Sequence, residues 1–232
     1  MCHTQLIEYF GEMQAYREFS NAVDGLLFAG NDSGMRVAVL PDIYGLTDFY
    51  KSYASYLAGF GAITYLTNPW SAFGELAEPT REAAYERRHL LRDREHCDRL
   101  QEFLAAENID AVVGFCIGGN FAFELARRGY AGTIIAIYPL PWGMENQDEI
   151  APAFEYMPSL AKDVTIMMGA ADHLAGADNI QRMKEIVAGN NYLTMHLYDG
   201  SNHGFFTDID GDDEKLKGNA KDAIDRVNSI LF

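Results

Sequence analysis

The sequence predicts an α/β protein whose mostly parallel sheet is flanked by helices on both faces. Short apolar runs recur from Arg36 onward, and amphipathic stretches of helical length separate them. Strands of that kind, joined by helical crossovers, form a parallel sheet buried on both faces. Composition agrees: hydrophobic residues make up 48% and charged residues 22% of the 232 positions, enough for a sizeable core.

The elements follow in order. Arg36–Leu40 (RVAVL) reads as a buried strand, Pro41–Gly45 as a turn and Asp48–Gly59 as a helix. Ala62–Leu66 is the next strand, and a loop with Pro69 and Pro79 leads to one long, charge-laced helix over Thr80–Glu107. Its arginines are nearly balanced by acids, so it reads as a solvated face. Ala111–Gly114 is a strand, Ile117–Arg128 a helix, and Thr133–Tyr138 a strand stopped by Pro139. A Pro- and acid-rich connection runs to about Leu160. Strand Val164–Met168, helix Ala177–Ala188, strand Tyr192–Leu197 and helix Glu214–Leu231 complete the pattern. The first 30 residues suggest two or three antiparallel edge strands. No repeat or low-complexity linker is visible, and the length fits one large α/β domain or two small ones.

Charge and cysteine content narrow the function classes. The net charge is -16, from 34 acidic and 18 basic residues, which argues against nucleic-acid binding because phosphate backbones need clustered Lys and Arg. Cys2, Cys97 and Cys116 are odd in number and lack metal-ligand spacing, so a disulfide framework is not expected and a reducing, cytoplasmic setting is. No run reaches the roughly 18 apolar residues of a membrane span, and the N-terminus lacks a signal core. The expectation is no membrane association, in a monomer or weak homo-oligomer.

Gly114-Phe115-Cys116-Ile117-Gly118-Gly119 lies between a strand and a helix. This is the G-x-nucleophile-x-G turn, with cysteine where serine is commoner. A sharp strand-to-helix turn strains the nucleophile and needs glycines where side chains would clash. The helix that follows offers N–H groups and a dipole to a developing negative charge. The competing reading is a buried structural cysteine. Two further loops favour the turn. Asp172 follows strand VTIMM in Gly169-Ala170-Ala171-Asp172-His173, and His203 follows strand YLTMHLY in Asp199-Gly200-Ser201-Asn202-His203. Nucleophile, acid and histidine thus come in α/β-hydrolase order, each at a strand's carboxyl end. Alone, Asp172 would be a turn aspartate and His203 a surface histidine. Together they predict a Cys116–Asp172–His203 triad. His173, beside the acid, reads as packing or as a shaper of the pocket.

The chain from about Arg36 to Phe232 resembles the dienelactone hydrolase family, on four segments: Pro41-Asp42-Ile43-Tyr44-Gly45-Leu46, the GFCIGG turn, Gly169–His173 and Asn202-His203-Gly204-Phe205. The resemblance implies a single α/β-hydrolase domain over residues 1–232 and an enzyme without metal or cofactor. It implies an oxyanion hole from the backbone N–H groups of Ile43 and Ile117. It also places Asp42 where well-known members carry a glutamate that engages the resting cysteine, one methylene shorter here. Arg81 and Tyr85 match a substrate-carboxylate arginine and an aromatic pocket residue, while a second arginine of the family falls at Thr207. Threonine cannot supply that charge, which loosens the tie to dienelactone itself. Trp70, Phe73, Trp142 and Phe206 are expected near the rim of an apolar slot, with Trp142, just after a strand, as the substrate-binding member or, alternatively, a core-packing residue.

Asp208–Glu214 starts like a calcium loop, but Asp213 replaces the required glycine and Asn219 the final glutamate. Gly59-Phe60-Gly61 lacks the third glycine of a dinucleotide fingerprint. The expected activity is hydrolysis of a small-molecule carboxylic ester or lactone. The alternative is a non-hydrolytic ligand-binding or thiol redox-sensing protein on the same scaffold.

Overall fold

The structure, a computed structural model, describes residues 5–31 and 34–232; Cys2 and His3 lie outside them. The strands are β1 Tyr16–Ser20, β2 Asp24–Phe28, β3 Arg36–Leu40, β4 Ile63–Asn68, β5 Ala111–Phe115, β6 Thr133–Ile137, β7 Val164–Gly169 and β8 Leu193–Tyr198. The helices are α1 Asp48–Gly59, α2 Arg81–Arg88, α3 Asp93–Ala106, α4 Ile117–Arg127, α5 Gly176–Ala188 and α6 Glu214–Leu231. All eight strands form one sheet in the order β1-β2-β4-β3-β5-β6-β7-β8. From β4 to β8 every pairing is parallel, and β2 joins β4 antiparallel, so the N-terminal segment supplies two antiparallel strands at that edge.

Side-chain alternation along β5 shows that both faces are covered. Phe115 packs edge-on against Phe49, Tyr50 and Tyr53 of α1, with ring centroids 5.2–5.9 Å apart. Its neighbour Gly114 points the other way, where an added Cβ would sit 2.2 Å from the Gly118 carbonyl of α4. The Tyr56 hydroxyl accepts a 2.8 Å bond from Asn228, which puts α6 beside α1. Arg128, just past α4, pairs with Asp98 of α3 on the opposite face. This is an α/β-hydrolase architecture.

The expected single helix over Thr80–Glu107 is two helices, broken at His89–Arg92. Residues five apart on a helix point roughly 140° away from each other. The break instead lets Arg88 and Asp93 meet in a buried 2.6 Å ion pair. Leu90 and Leu91 bond back to Arg87 and Arg88 in tight turns, and Asn146 caps the Leu91 carbonyl at 2.6 Å. The solvated-face reading fails here as well, because Arg87 and Arg88 are buried.

The chain pairs β3 with β4 on one side and then crosses to β5 on the other. That reversal opens a crevice at the carboxyl ends of β3 and β5, the usual place for a ligand in an open α/β sheet. No helix among the described residues is long and apolar enough to cross a membrane.

Candidate active site

Cys116 occupies the turn between β5 and α4 with φ 54° and ψ −115°, a conformation that side chains rarely adopt. Its N–H is held by the Ile137 carbonyl at 2.9 Å. The turn is this tight because α4 presses against two strand ends. A Cβ on Gly118 would lie 2.2 Å from the Leu40 carbonyl, so only glycine admits the approach. Ile117 is the first residue of α4, and its N–H belongs to the helix's unsatisfied first turn.

His203 and Asp172 meet behind the cysteine. Asp172 Oδ2 lies 2.7 Å from His203 Nδ1, and both side chains are nearly inaccessible. Asp172 Oδ1 accepts from the N–H groups of Leu174 and Ala175 at 2.9 and 3.0 Å. Burial pushes the Asp172 carboxyl up, but the His203 bond and these two N–H groups outweigh it and hold the carboxyl below its ordinary value. An ionised acceptor there makes Nδ1 the protonated nitrogen of His203 and turns Nε2 into the basic one. The Tyr138 ring braces the imidazole from 4.9 Å. Asn202 ties the two loops together: its Oδ1 accepts from the backbone N–H of His173 at 3.0 Å and of His203 at 2.8 Å.

Cys116 and His203 open into one cavity of about 280 Å³, lined also by Asp42, Ile43, Tyr44, Arg81, Tyr85 and Met144 among others. Asp42 is buried, and its Oδ1 accepts from Tyr44 N at 2.8 Å, closing the turn that presents Ile43. Arg81 and Tyr85, one turn apart on α2, both face the cavity, with the guanidinium 5.3 Å over the tyrosine ring. His173 lines it too. Among the described residues, no group of three or more His, Cys, Asp and Glu is placed to hold a metal.

The expected aromatic rim is corrected. Trp142 is absent from the cavity lining and packs against the core at its own edge. Phe206 is fully buried, 5.5 Å from Phe115 beneath the Cys116 turn. Trp70 is buried with its indole N–H on the Asp42 carbonyl, and Phe73 lies exposed on a short turn. Thr207 bonds back to the Gly204 carbonyl at 3.0 Å, outside the cavity. The apolar wall comes instead from Leu140, Met144 and Leu174. Leu140 follows β6 and its N–H is held by Asn120 of α4 at 2.7 Å, so strand-end placement could have found it; Met144, deep in an irregular loop, left no such signal.

Residues 23–231 match the sequence profile of the dienelactone hydrolase family. The chain is 41% identical over 222 residues to carboxymethylenebutenolidase 2 of Cupriavidus pinatubonensis, covering 95% of this chain and 94% of that one. It is 27% identical over 191 residues to a carboxymethylenebutenolidase of Rhodococcus opacus, covering 79% and 75%. Among solved structures, a dienelactone hydrolase candidate from Klebsiella pneumoniae superposes with a TM-score of 0.77 at 18% identity, covering 93% and 97%. A Pyrococcus furiosus esterase reaches 0.67 at 13% identity, covering 94% and 90%; at such identities these two matches speak for the fold alone.

Proposed function

We propose that this chain, which belongs to the dienelactone hydrolase family, opens a small carboxylic lactone or ester through a thioester acyl-enzyme on Cys116. The family makes it an ester or lactone hydrolase. The observation that carries the finer reading is the convergence of Cys116 and of a His203 oriented by ionised Asp172 on one cavity. His203 Nε2 takes the thiol proton, and the thiolate attacks the substrate carbonyl. The N–H groups of Ile43 and Ile117 receive the oxyanion. Collapse breaks the acyl C–O bond, and His203 returns the proton to the leaving oxygen. From a lactone, that alcohol stays on the same molecule. His203 then deprotonates a water that attacks the thioester, releasing the carboxylic acid and restoring the thiol. Asp172 holds the imidazole tautomer and stabilises its protonated form throughout.

Asp42, on the cavity wall, is assigned to keeping the resting thiol in check, and Arg81 with Tyr85 to binding substrate. The relative at 41% identity is named for a butenolide carrying a carboxymethylene group. A lactone with a free carboxylate therefore fits a mouth that bears Arg81. Cys116→Ala and His203→Ala are each expected to abolish hydrolysis of an activated short-chain ester in a protein that still melts cooperatively. Turnover persisting in either variant would sink the mechanism.

A further inference from the structure

Two buried side chains converge on the peptide group that supplies one oxyanion N–H. The Ile43 N–H and the Asp42 carbonyl belong to the same peptide. That carbonyl accepts the indole N–H of Trp70 at 3.2 Å. Arg87 holds the next two carbonyls, with Nη2 2.9 Å from Ile43 O and 3.2 Å from Tyr44 O, and its Nη1 reaches Gly74 O at 3.0 Å. The guanidinium also stacks over the Trp70 ring at 4.9 Å. Gly45, at φ +79°, has no room for a side chain, since its Cβ would meet Trp70 Cδ1 at 2.6 Å. Burying a guanidinium is costly, and here it is compensated by carbonyls of two loops and an aromatic face.

We propose that Trp70 and Arg87 are positioning residues for the oxyanion hole, and that they tie its geometry to α2, whose Arg81 and Tyr85 line the substrate slot. A peptide whose carbonyl accepts a hydrogen bond is a stronger donor at its N–H, because the two bonds polarise the group in the same sense. Trp70 therefore sharpens the Ile43 N–H toward the negative oxygen of the tetrahedral intermediate, where charge is greatest. Arg87 keeps the Ile43 and Tyr44 carbonyls turned away from the cavity and fixes the indole that, beside the Gly45 N–H at 3.2 Å from the Asp42 carbonyl, does the polarising. The two contacts act in the transition state more than on bound substrate, so their loss is read in kcat. This inference rests on the assignment of Ile43 to the oxyanion hole.

Trp70→Phe removes the indole donor and keeps a ring under Arg87; Arg87→Met removes the donors and keeps an unbranched chain. With a neutral activated ester, each is expected to lower kcat about tenfold at unchanged KM, short of the roughly 100-fold or more lost when an oxyanion donor is deleted outright. Alkylation of Cys116 by iodoacetamide, which needs the thiolate and no oxyanion hole, is expected to keep its rate in both. Full kcat in Trp70→Phe would overturn the clamp, as would a fall in kcat matched by an equal fall in alkylation. Should Arg87→Met fail to fold, Trp70→Phe decides by itself. Cys116→Ala in parallel separates the two readings. Turnover surviving there overturns the proposed function, whereas an inactive Cys116→Ala beside an unimpaired Trp70→Phe overturns the clamp alone.

Discussion

The cavity has two walls, and they are held in different ways. The wall of the proposed triad is placed mainly by backbone: Cys116, Asp172 and His203 sit within five residues of the ends of β5, β7 and β8, where strand register determines their positions. The facing wall begins just past the end of β3 and is fixed from there by distant side chains. Asp42–Tyr44 is held by Trp70 from 28 residues away and by Arg87 from 44 residues away, and the slot residues Arg81 and Tyr85 ride on α2. A wall set by a shared sheet has little latitude at any one position. A wall set by individual side-chain bonds changes by degrees, so substrate preference has room to vary there while Cys116 stays put.

The largest effect that sharpens this contrast belongs to Asp172. Asp172→Asn keeps the shape but lets Nδ1 of His203 become the acceptor and Nε2 the proton carrier, the wrong tautomer for a base. kcat is expected to drop by roughly 10⁴-fold at neutral pH in a steady-state assay. A drop of tenfold or less would make the triad wall as tolerant as its neighbour and erase the distinction.

Arg81→Ala is expected to act on one substrate class only. Charged hydrogen bonds to a carboxylate are worth about 1.5–3 kcal/mol, so kcat/KM for carboxylate-bearing esters or lactones falls about 10- to 100-fold while neutral esters are spared. Equal loss on both classes would mean that Arg81 holds up the wall rather than reading the substrate.

An effect on stability rather than on activity lies behind the wall of the proposed triad. His96 of α3 packs edge-on against Phe121 of α4, at 4.9 Å, and burial lowers its pKa to about 3. The unfolded chain takes up this proton near pH 6.5 and the folded chain does not. The stabilisation is thus complete above pH 6.5 and lost as pH falls from there toward 3, at roughly 1.4 kcal/mol per pH unit. His96→Leu is expected to flatten the denaturant-measured stability profile over that window by that amount. An unchanged slope would show that His96 titrates alike in both states.

What could be read from the chain divides along the same line. Cys116, Asp172 and His203 were visible because a strand end, a glycine pattern and chain order are local properties of sequence. The parallel sheet was visible for the same reason, through apolar runs at strand length. Trp70, Phe206 and Trp142 were misplaced at the rim because composition says that an aromatic is apolar and not which way it points. Arg87 and Arg88 were counted with the solvated charges because nothing local marks a guanidinium destined for distant carbonyls or for Asp93. The same pair conceals the break in the helix, since helical propensity runs on unbroken across His89–Arg92 and it is tertiary contacts, the Arg88–Asp93 pair and the Asn146 cap on Leu91, that oppose it. Thr207, where the resemblance puts a second arginine, turns back on its own short helix outside the cavity.

In the proposed mechanism Cys116 carries the acyl group, which the mass of the enzyme, quenched by acid during turnover of an activated short-chain ester, tests without intermediate steps. A population heavier by one acyl group is expected, with the added mass on the peptide containing Cys116 and lost on treatment with hydroxylamine. Turnover with no adduct on that peptide, and undiminished in Cys116→Ala, would contradict it.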